Sequence, residues 1–525
     1  MNFEISTIDG TIVILYLIFV ILLGFYFSRK HQNAEDYFLA GRSLTWPVIG
    51  FSLFASNMSS NSLVGLAGAG FADGFSVYSY EWMAVLVLII FAVFFLPFYL
   101  KNKIFTIPEF LEKRYNYTVR AYASSIAIVL NVIVDIAATL FAGGIAMQLL
   151  FPEIPLWLIV AVISFIAGIY TITGGLTAVV YTDTIQAIIL ILGSIVITVM
   201  AWNQSGGMPE VLKIVDPGHT DIIKPMSDSA LPWPGLIGVF ILGFYFWGTN
   251  QYITQRSLAA KNKREGQWGA MFAGFLKVSI IFIMIFPGAY ARVLYPEISP
   301  NEVYPTLLFD LLPTGLLGLV LAGFVAALMS SVDSGLNSVS TLFTMDFYQK
   351  WNPKADTKQL MKVGKIVTLV VMVISAVWAP MIVNFDKLWD YLQQSLSWFC
   401  PPIVALFVMG IFWRRANTTG AKWTMVVGGI LTVISICFST IWKDASFRPH
   451  FLYFTCLHFA VSCIAMYVGS LTAPAPDEAQ LESTIFTRAE YEEETKSLRG
   501  LPWYKNYRIQ GMMLIAAVVV ILIIY

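Results

Sequence analysis

Long apolar runs recur along the whole chain, and short polar segments separate them. One helical crossing of a bilayer needs roughly 17–25 mostly apolar residues, and fourteen runs qualify. We therefore predict an all-α, polytopic membrane protein with a single transmembrane domain over 1–525. The predicted spans are 9–28, 47–70, 78–100, 119–150, 155–174, 184–203, 233–254, 268–292, 314–344, 363–383, 388–413, 420–442, 449–472 and 509–525.

Composition supports this interpretation and excludes a soluble protein. The chain of 525 residues is 58% hydrophobic and only 12% charged, and its mean hydropathy is +0.73. No remaining segment is long enough to enclose a soluble core. Glu4 and Asp9 stand before the first span, where a secretory leader carries basic residues, so we expect no cleaved signal peptide.

Basic residues cluster in alternate loops, which predicts the orientation of the chain. The groups lie at 101–120, 256–264, 350–365, 414–422 and 488–508, together with Arg29, Lys30 and Arg42. Cytoplasmic loops carry the excess of lysine and arginine. We therefore expect these groups inside, both termini on the outer side, and a multi-pass protein of the cell membrane. The net charge of zero gives no reason to expect a nucleic-acid partner.

Glu81 and Lys277 are ionisable side chains inside predicted spans. An ionised group at the centre of a membrane helix costs roughly 2.5–3.5 kcal/mol on insertion scales. Such a residue is tolerated when it faces a partner, a cavity or a polar ligand. One acid and one base on different helices indicate a site for a polar small molecule.

Two spans are interrupted by polar and small residues. The stretch 51–70 crowds serines around Asn57 and Asn61, and 241–255 is again small and polar in its middle. Interruptions at corresponding positions of two halves are typical of broken helices in secondary transporters. We predict inverted five-helix repeats over 47–203 and 233–413, with an extra N-terminal helix at 9–28 and C-terminal helices over 420–525. Close helix packing through small residues also explains the glycines, but it explains the asparagines poorly.

Further polar groups lie within or beside other spans. Ser330 and Ser331 are followed by Asp333 and Ser334, and hydroxyls with unwound backbone can coordinate a hard cation such as sodium. Asp135 is another intramembrane acid, which is a functional candidate by default. Asp183, at the inner edge of its span, has the alternative interpretation of an interfacial helix cap.

Several motifs receive structural or negative interpretations. Thr106 and Glu109 form a Thr-x-x-Glu capping box with Pro108 in the first turn, predicting a short inner surface helix that ends near Asn116. His458 is expected to be packed and hydrogen-bonded. The segment 473–508 is predicted to be an inner amphipathic or partly disordered connector. The chain shows no phosphate loop or nucleophile elbow, so we do not expect an enzyme or an ATP-driven pump.

The chain resembles the sodium/solute symporter family and, within it, the sodium/sugar cotransporters. The similar stretches include 35–44, SYEWMA (79–84), TIPEFLEKRYN (106–116), ITGGLTAVVYTDTIQ (172–186), WGTNQYITQRSLAAKN (247–262) and SSVDSGLNSVSTLFTMDFY (330–348). This resemblance implies a LeuT-like core that takes up a sugar together with Na+ by alternating access.

The resemblance also implies roles for individual residues. The positions that match sugar-binding residues are Asn57, Glu81, Lys277 and Gln393, with Tyr80, Phe246 and Trp247 as aromatic lining or gate residues. Carboxylate, ammonium and amide groups suit hydroxyls that both donate and accept hydrogen bonds. Ser62, Asp135 and Gly243 occupy further pocket positions. Ser62 and Gly243 are smaller than the residues of sugar relatives, which leaves polyols such as inositol open.

The sodium ligands implied by the resemblance come from two helices. The primary site would use the carbonyl oxygens of Ala55, Met58 and Ala327 with the hydroxyls of Ser330 and Ser331. A possible second site matches Ser330, Asp183, Asp333 and Ser334, where Asp333 replaces an uncharged residue and would favour a second cation or a proton.

Other interpretations remain open from the sequence. The solute could be an amino acid or a carboxylate that pairs with Lys277. The protein could be a solute-gated channel or a sensor. Glu81 and Lys277 could form a buried ion pair that only fixes helix packing. We expect a monomer or a weak homodimer in the lipid bilayer.

Overall fold

The computed structural model describes residues 5–28, 39–442 and 449–525. Glu4, Arg29, Lys30 and part of the stretch 35–44 lie outside the described residues, as do the side chains at 169–178. The described chain is built from helices. Those of eight residues or more are α1 Thr7–Ser28, α2 Trp46–Asn57, α3 Ser60–Ala72, α4 Gly74–Lys101, α5 Ile107–Arg114, α6 Tyr117–Leu150, α7 Leu156–Ser205, α8 Trp233–Thr249, α9 Gln251–Leu258, α10 Lys263–Leu294, α11 Val303–Leu311, α12 Leu316–Trp351, α13 Thr357–Asn384, α14 Leu388–Phe412, α15 Thr418–Thr440, α16 Phe451–Leu471, α17 Arg488–Leu498 and α18 Tyr507–Ile524.

Most of the predicted spans coincide with long apolar helices. Within the described residues, 10 helices are long and apolar enough to cross a membrane, and shorter apolar helices cover Thr7–Val20, Leu156–Gly168 and Trp233–Thr249. The predicted span 47–70 consists of the two helices α2 and α3. The multi-pass architecture is thus as expected, and the total of fourteen crossings stays a prediction.

The predicted spans 155–174 and 184–203 lie in one continuous helix, α7. Its beginning packs at Gly144 of α6, and near its end the ring of Trp202 lies 5.8 Å from that of Tyr290 on α10. Both contacts lie near the last turns of α6 and α10, and the first turns of both helices lie among the basic groups, at Arg120 and Lys263. A straight helix of 50 residues would be about 75 Å long, so α7 is not one straight crossing.

Both expected helix breaks are present. Between α2 and α3, Met58 and Ser59 leave helical geometry, with ψ angles of 56° and 176°. Between α8 and α9, Asn250 is extended (φ −78°, ψ 121°) and its side chain caps α9 by accepting from the Tyr252 N–H at 3.0 Å. The pattern of polar and small residues therefore predicted both interruptions correctly.

Glycine allows close packing beside the first break. A Cβ at Gly288 of α10 would lie 2.2 Å from the carbonyl oxygen of Ala67 on α3. Because no side chain fits there, the backbones of α3 and α10 can approach directly. This approach positions the helix that carries Lys277 against the second half of the broken helix.

The basic groups gather at one end of the bundle, which we call the basic end. Lys101 and Lys263 there pair with Glu490 and Glu494 of α17, at 2.9 and 2.6 Å. The predicted connector over 473–508 therefore contains a docked helix. At the same end Arg114 is fully buried and its Nε donates to the Gly410 carbonyl oxygen at 2.7 Å, near the end of α14.

The predicted capping box at Thr106 is wrong. Thr106 precedes α5, but its hydroxyl donates to the buried Asp346 carboxylate at 2.7 Å instead of accepting from the helix. Glu109 accepts from the Phe105 N–H at 2.8 Å. Asp346 outcompetes the local cap because it also binds Arg120 and needs donors within a buried environment.

The interpretation of His458 is confirmed. Its side chain is fully buried in α16, and Nε2 lies 3.1 Å from the Gly428 carbonyl oxygen of α15. This hydrogen bond links two C-terminal helices away from the helix breaks.

Candidate functional site

A cavity lined largely by polar side chains lies at the two helix breaks. It is bounded by α2, α3, α4, α6, α8, α9 and α14, so residues from both predicted repeats meet there. The sequence-predicted substrate residues that line it are Asn57, Ser62, Tyr80, Glu81, Asp135, Phe246, Trp247 and Gln393. The remaining one, Lys277, contacts this group from behind.

Lys277 joins three helices through its ammonium group. Its Nζ donates to the Glu81 carboxylate on α4 and to the Asn57 side-chain oxygen at the end of α2. The ammonium also lies 5.2 Å from the centroid of the Trp247 ring. The Lys277 side chain is fully buried and that of Glu81 is 5% exposed. The pair therefore compensates its charges locally, while Glu81 and Asn57 remain at the cavity wall.

Local helix geometry explains how several of these residues reach the cavity. Asp135 lies in a π-helical stretch, Asn131–Ile136, and Phe246 and Trp247 lie in another, Tyr245–Thr249. A π-helical turn inserts an extra residue and often occurs at functional sites. The second stretch ends at the Asn250 break, which places its aromatic rings beside the first broken helix.

Aromatic residues form two pairs around the cavity. The ring centroids of Tyr80 and Trp389 lie 5.2 Å apart in a T-shaped arrangement, and those of Phe246 and Trp247 lie 5.4 Å apart. Trp389 was missed by the sequence reasoning. Its signal was its position four residues before Gln393, which puts both on one face of α14.

Ser62 and Tyr252 contribute to the cavity in ways that the sequence did not predict. The Ser62 hydroxyl donates to the Asn57 carbonyl oxygen, so this donor is used to satisfy the helix break. Tyr252, which was not predicted to be in the site, lines the cavity and donates to the Ser56 carbonyl oxygen at 2.8 Å. Side chains thus replace backbone hydrogen bonds that the break removes.

Asp183 lies inside the bundle, and its alternative interpretation as an interfacial cap is wrong. The carboxylate is fully buried. It accepts hydrogen bonds from Ser52 of α2, at 2.6 Å, and from Ser330 of α12. Through this carboxylate the structure brings the first broken helix and the predicted sodium helix together.

The backbone of the break fits a cation. In the described chain, no hydrogen bond to the carbonyl oxygens of Ala55 and Met58 is present, because the expected helical donors lie beyond the break. Both residues are buried, as are Ala327, Ser330 and Ser331 on α12. Buried carbonyl oxygens without donors are a costly arrangement that a bound cation would relieve.

Arg256 occupies part of the predicted second cation site. This residue was assigned to a basic loop from the sequence, but it is buried in α9 with 1% of its side chain exposed. Its guanidinium donates to Ser334 at 2.5 Å and lies 3.4 Å from Asp183. Asp333 is buried on the same turn of α12 as Ser330 and Ser334.

The fold and this site define a secondary transporter. Apolar helices surround a polar cavity at two broken helices, as in transporters with a LeuT-like core. A solved structure of a Na+-coupled sialic acid symporter, bound to substrate in an outward-open state, matches with a TM-score of 0.78 and 24% identity, over 90% of this chain and 100% of that chain. A nucleobase-cation-symport-1 family transporter in a closed conformation matches with a TM-score of 0.57 and 14% identity, over 86% and 99%.

The chain belongs to the sodium:solute symporter family. The family model matches residues 37–428. Relatives include "Sodium/glucose cotransporter 4" of Danio rerio, 35% identical over 96% of this chain and 84% of the relative. "Sodium/myo-inositol cotransporter" of Bos taurus is 34% identical over 93% and 76%. These matches confirm the resemblance deduced from the motifs. The protein is a transporter, and sodium is its coupling ion.

Proposed function

We propose that this protein couples the entry of sodium to the uptake of a sugar. The observation that carries the proposal is the Glu81–Lys277–Asn57 cluster at a cavity that Gln393 and Trp247 also line. Relatives named sodium/glucose cotransporters, which match most of the chain, support the same substrate class.

The cavity chemistry suits a neutral polyhydroxy compound. Hydroxyl groups can donate to the Glu81 carboxylate and exchange both donor and acceptor contacts with the amides of Asn57 and Gln393. The ring of Trp247 offers an apolar surface for the CH face of a pyranose. Lys277 already pairs with Glu81, and the described residues that line the cavity include no other cation to favour a carboxylate solute, which argues against that alternative.

Sodium would bind where the first broken helix meets α12. The proposed ligands are the carbonyl oxygens of Ala55, Met58 and Ala327 and the hydroxyls of Ser330 and Ser331. An ion at this position connects both helices and stabilises one arrangement of the bundle, as differential affinity requires. One charge moving through the membrane potential supplies about 2.3 kcal/mol per 100 mV, which can drive accumulation of the solute.

A second cation would bind at Asp183, Asp333, Ser330 and Ser334 only in competition with Arg256. The guanidinium contacts Asp183 and Ser334, so it must move before these oxygens can coordinate an ion. The second site therefore predicts a stoichiometry of two cations per solute, measured from the reversal potential of proteoliposome flux. A ratio of one at saturating sodium would exclude it.

The arrangement in the membrane is part of the proposal. The basic end would face the cytoplasm and both termini would lie outside, with repeats over 47–203 and 233–413 around the cavity. The distribution of lysine and arginine supports this orientation. Single cysteines at Lys362 and at Met226, each in a variant without the native cysteines, test this orientation. The cysteines are labelled with an impermeant thiol reagent. Only Met226→Cys should react from outside intact cells.

The principal experiment is uptake into proteoliposomes with and without an inward sodium gradient. The panel contains neutral sugars, inositol, proline and a carboxylate. We expect sodium-dependent accumulation of one neutral solute, lost in Glu81→Ala and Gln393→Ala and retained in Lys362→Gln, which removes an exposed charge far from the cavity. Sodium-driven uptake of proline or a carboxylate alone would contradict the sugar assignment.

Inositol belongs in the panel because of specific positions. The resemblance implies that Ser62 and Gly243 are shorter than their counterparts in sugar relatives, and a Cβ at Gly243 would meet only Val87, at 3.6 Å. A sodium/myo-inositol cotransporter is also among the relatives. Uptake of inositol in preference to every hexose would establish the polyol version of the proposal.

A further inference from the structure

An apolar groove runs along the outside of α10 and α18 near the basic end. It shares no lining residue with the central cavity. Trp46, Met271, Phe272, Phe275, Met513 and Leu514 form its walls. Phe275 and Met513 are 62% and 52% exposed, so the groove opens on the lipid-facing surface.

One end of the groove has the composition of a membrane interface. Trp268, Trp503, Tyr504, Lys505 and Gln510 border it there. Tryptophan and tyrosine favour the level of lipid headgroups, where their rings are partly apolar and partly hydrated. The walls deeper in the groove offer almost only apolar surface, which suits an acyl chain and not a hydroxylated solute.

Two cations at this end have no carboxylate partner among the residues that the structure describes. They are Lys505, which lines the groove and lies over the Tyr504 ring at 5.8 Å, and Arg264, which lies over the Trp268 ring at 5.8 Å and lines the neighbouring cleft that also contains Glu490, Glu493 and Glu494. Their neighbour Lys263 differs, because it pairs with Glu494 at 2.6 Å. The nearby carboxylate of Glu265 accepts from the Trp46 N–H at 2.7 Å, so it serves α2.

A neutral donor adds to the two charges. The indole N–H of Trp268 is buried at the groove and finds no acceptor in the described part of the chain. Buried donors are normally satisfied. An ester carbonyl of a glycerolipid lies just below its phosphate and would supply the missing acceptor.

We propose that this groove binds one anionic glycerophospholipid. An acyl chain fills the apolar part, the phosphate lies between Lys505 and Arg264, and the Trp268 N–H donates to an ester oxygen. Basic pockets between membrane helices recognise anionic headgroups in this way. Because the lipid packs on the face of α10 that carries Phe272 and Phe275, it would contact the same helix that positions Lys277.

Native mass spectrometry of the full-length protein tests the proposal, with phosphatidylglycerol and phosphatidylcholine offered in equal amounts. We expect preferential retention of phosphatidylglycerol. Removing one cation should lower this preference about fivefold, and Arg264→Gln with Lys505→Gln should nearly abolish it. Glycerol 3-phosphate should not displace the lipid, because it lacks the acyl chain.

Two comparisons make the result specific. Lys362→Gln with Lys365→Gln removes two exposed cations of α13 at the basic end and should leave the preference unchanged. Leu514→Trp fills the groove and should lower retention of both lipids, with sodium-driven uptake reporting a folded protein. Three outcomes would each overturn the proposal. The Lys362/Lys365 control could lose the preference for phosphatidylglycerol to the same extent, or the natural sequence could retain both lipids equally. The third is an undiminished preference for phosphatidylglycerol in the Arg264/Lys505 variant.

Discussion

Glu81 and Lys277 form one buried pair of side chains to which we assign two roles, helix packing and, in our proposal, substrate recognition. Both are buried and bonded to each other. Removing one partner of a buried pair typically costs about 3–5 kcal/mol, because a charge is left without compensation. We expect Glu81→Gln and Lys277→Met to lower the thermal midpoint and to abolish uptake, whereas the double variant should regain much of the stability without regaining uptake.

The double variant separates recognition from packing. Thermal unfolding in detergent gives the stability of each variant, and sodium-driven uptake gives its activity. Recovery of both in the double variant would mean that the pair only fixes helix packing and would remove Glu81 from the substrate site.

His219 gives a pH dependence outside the membrane-spanning segments. Burial, reinforced by the positive charges of Arg292 and Lys224, lowers the pKa of His219 to about 4. The unfolded chain takes up this proton near pH 6.5. The stabilisation is therefore complete above pH 6.5 and is lost as the pH falls towards 4, by at most about 3 kcal/mol.

Thermal unfolding from pH 7 to pH 4.5 checks this expectation. His219→Gln should unfold with a weaker acid dependence than the natural sequence, since glutamine does not titrate. Identical pH profiles for the two proteins would show that His219 does not contribute.

The sequence predicted the positions of residues whose polarity is unusual within an apolar span. It did not predict the position of a residue whose burial depends on a distant partner. Asn57, Glu81 and Gln393 stood out as polar groups in apolar spans, and the structure places them at one cavity. Arg256 looked like one of many basic loop residues. Its burial depends on a tertiary partner, Asp183, 73 positions away along the chain, which no local pattern indicates.

At the scale of helices, α1 stabilises α12 by capping it. Asp9 is 1% exposed, and its carboxylate accepts from the N–H groups of Gly315 and Gly318, each at 2.7 Å. Gly315 has a φ of +88° just before the helix, which a side chain would disfavour. The extra N-terminal helix thus satisfies the free end of the helix that carries Ser330.

Asp9→Ala should lower stability by about 1–2 kcal/mol, because the buried N–H of Gly318 and the partly buried N–H of Gly315 lose their acceptor. Asp9→Asn keeps one acceptor oxygen and should cost less. Thermal unfolding measured with and without sodium distinguishes capping from an effect on the ion. A loss of stability that occurs only in the presence of sodium would show that Asp9 acts through ion binding.

The helix breaks were more predictable than the helix ends. Polar residues in the middle of apolar runs identified both interruptions, because exposed backbone needs nearby polar groups inside a membrane. Thr106 shows the opposite case. Its local motif favoured a cap, but a buried carboxylate from α12 was the stronger partner for its hydroxyl.

The whole molecule must close its cavity at each end in turn, and an ion pair joins two helices at the end opposite the basic one. Lys387, just before α14, donates to Asp73 at the end of α3, at 2.7 and 2.9 Å. It also lies 3.4 Å from Asp390. A small space beside this group shares Tyr80 and Trp389 with the central cavity, so the two aromatic rings separate the cavity from the ion pair.

Lys387→Gln should make the cavity more accessible from this end. The Lys387 and Asp73 side chains are each 19% exposed, so the pair contributes about 1 kcal/mol after screening by solvent, which corresponds to about a fivefold change in the balance of closed and open states. The measurement uses a cysteine placed at Ser62 in a variant without the native cysteines. Its rate of reaction with an impermeant thiol reagent should rise by about this factor. Lys362→Gln should leave the rate unchanged. An equal rate in both would show that the Lys387 contacts do not hold this end closed.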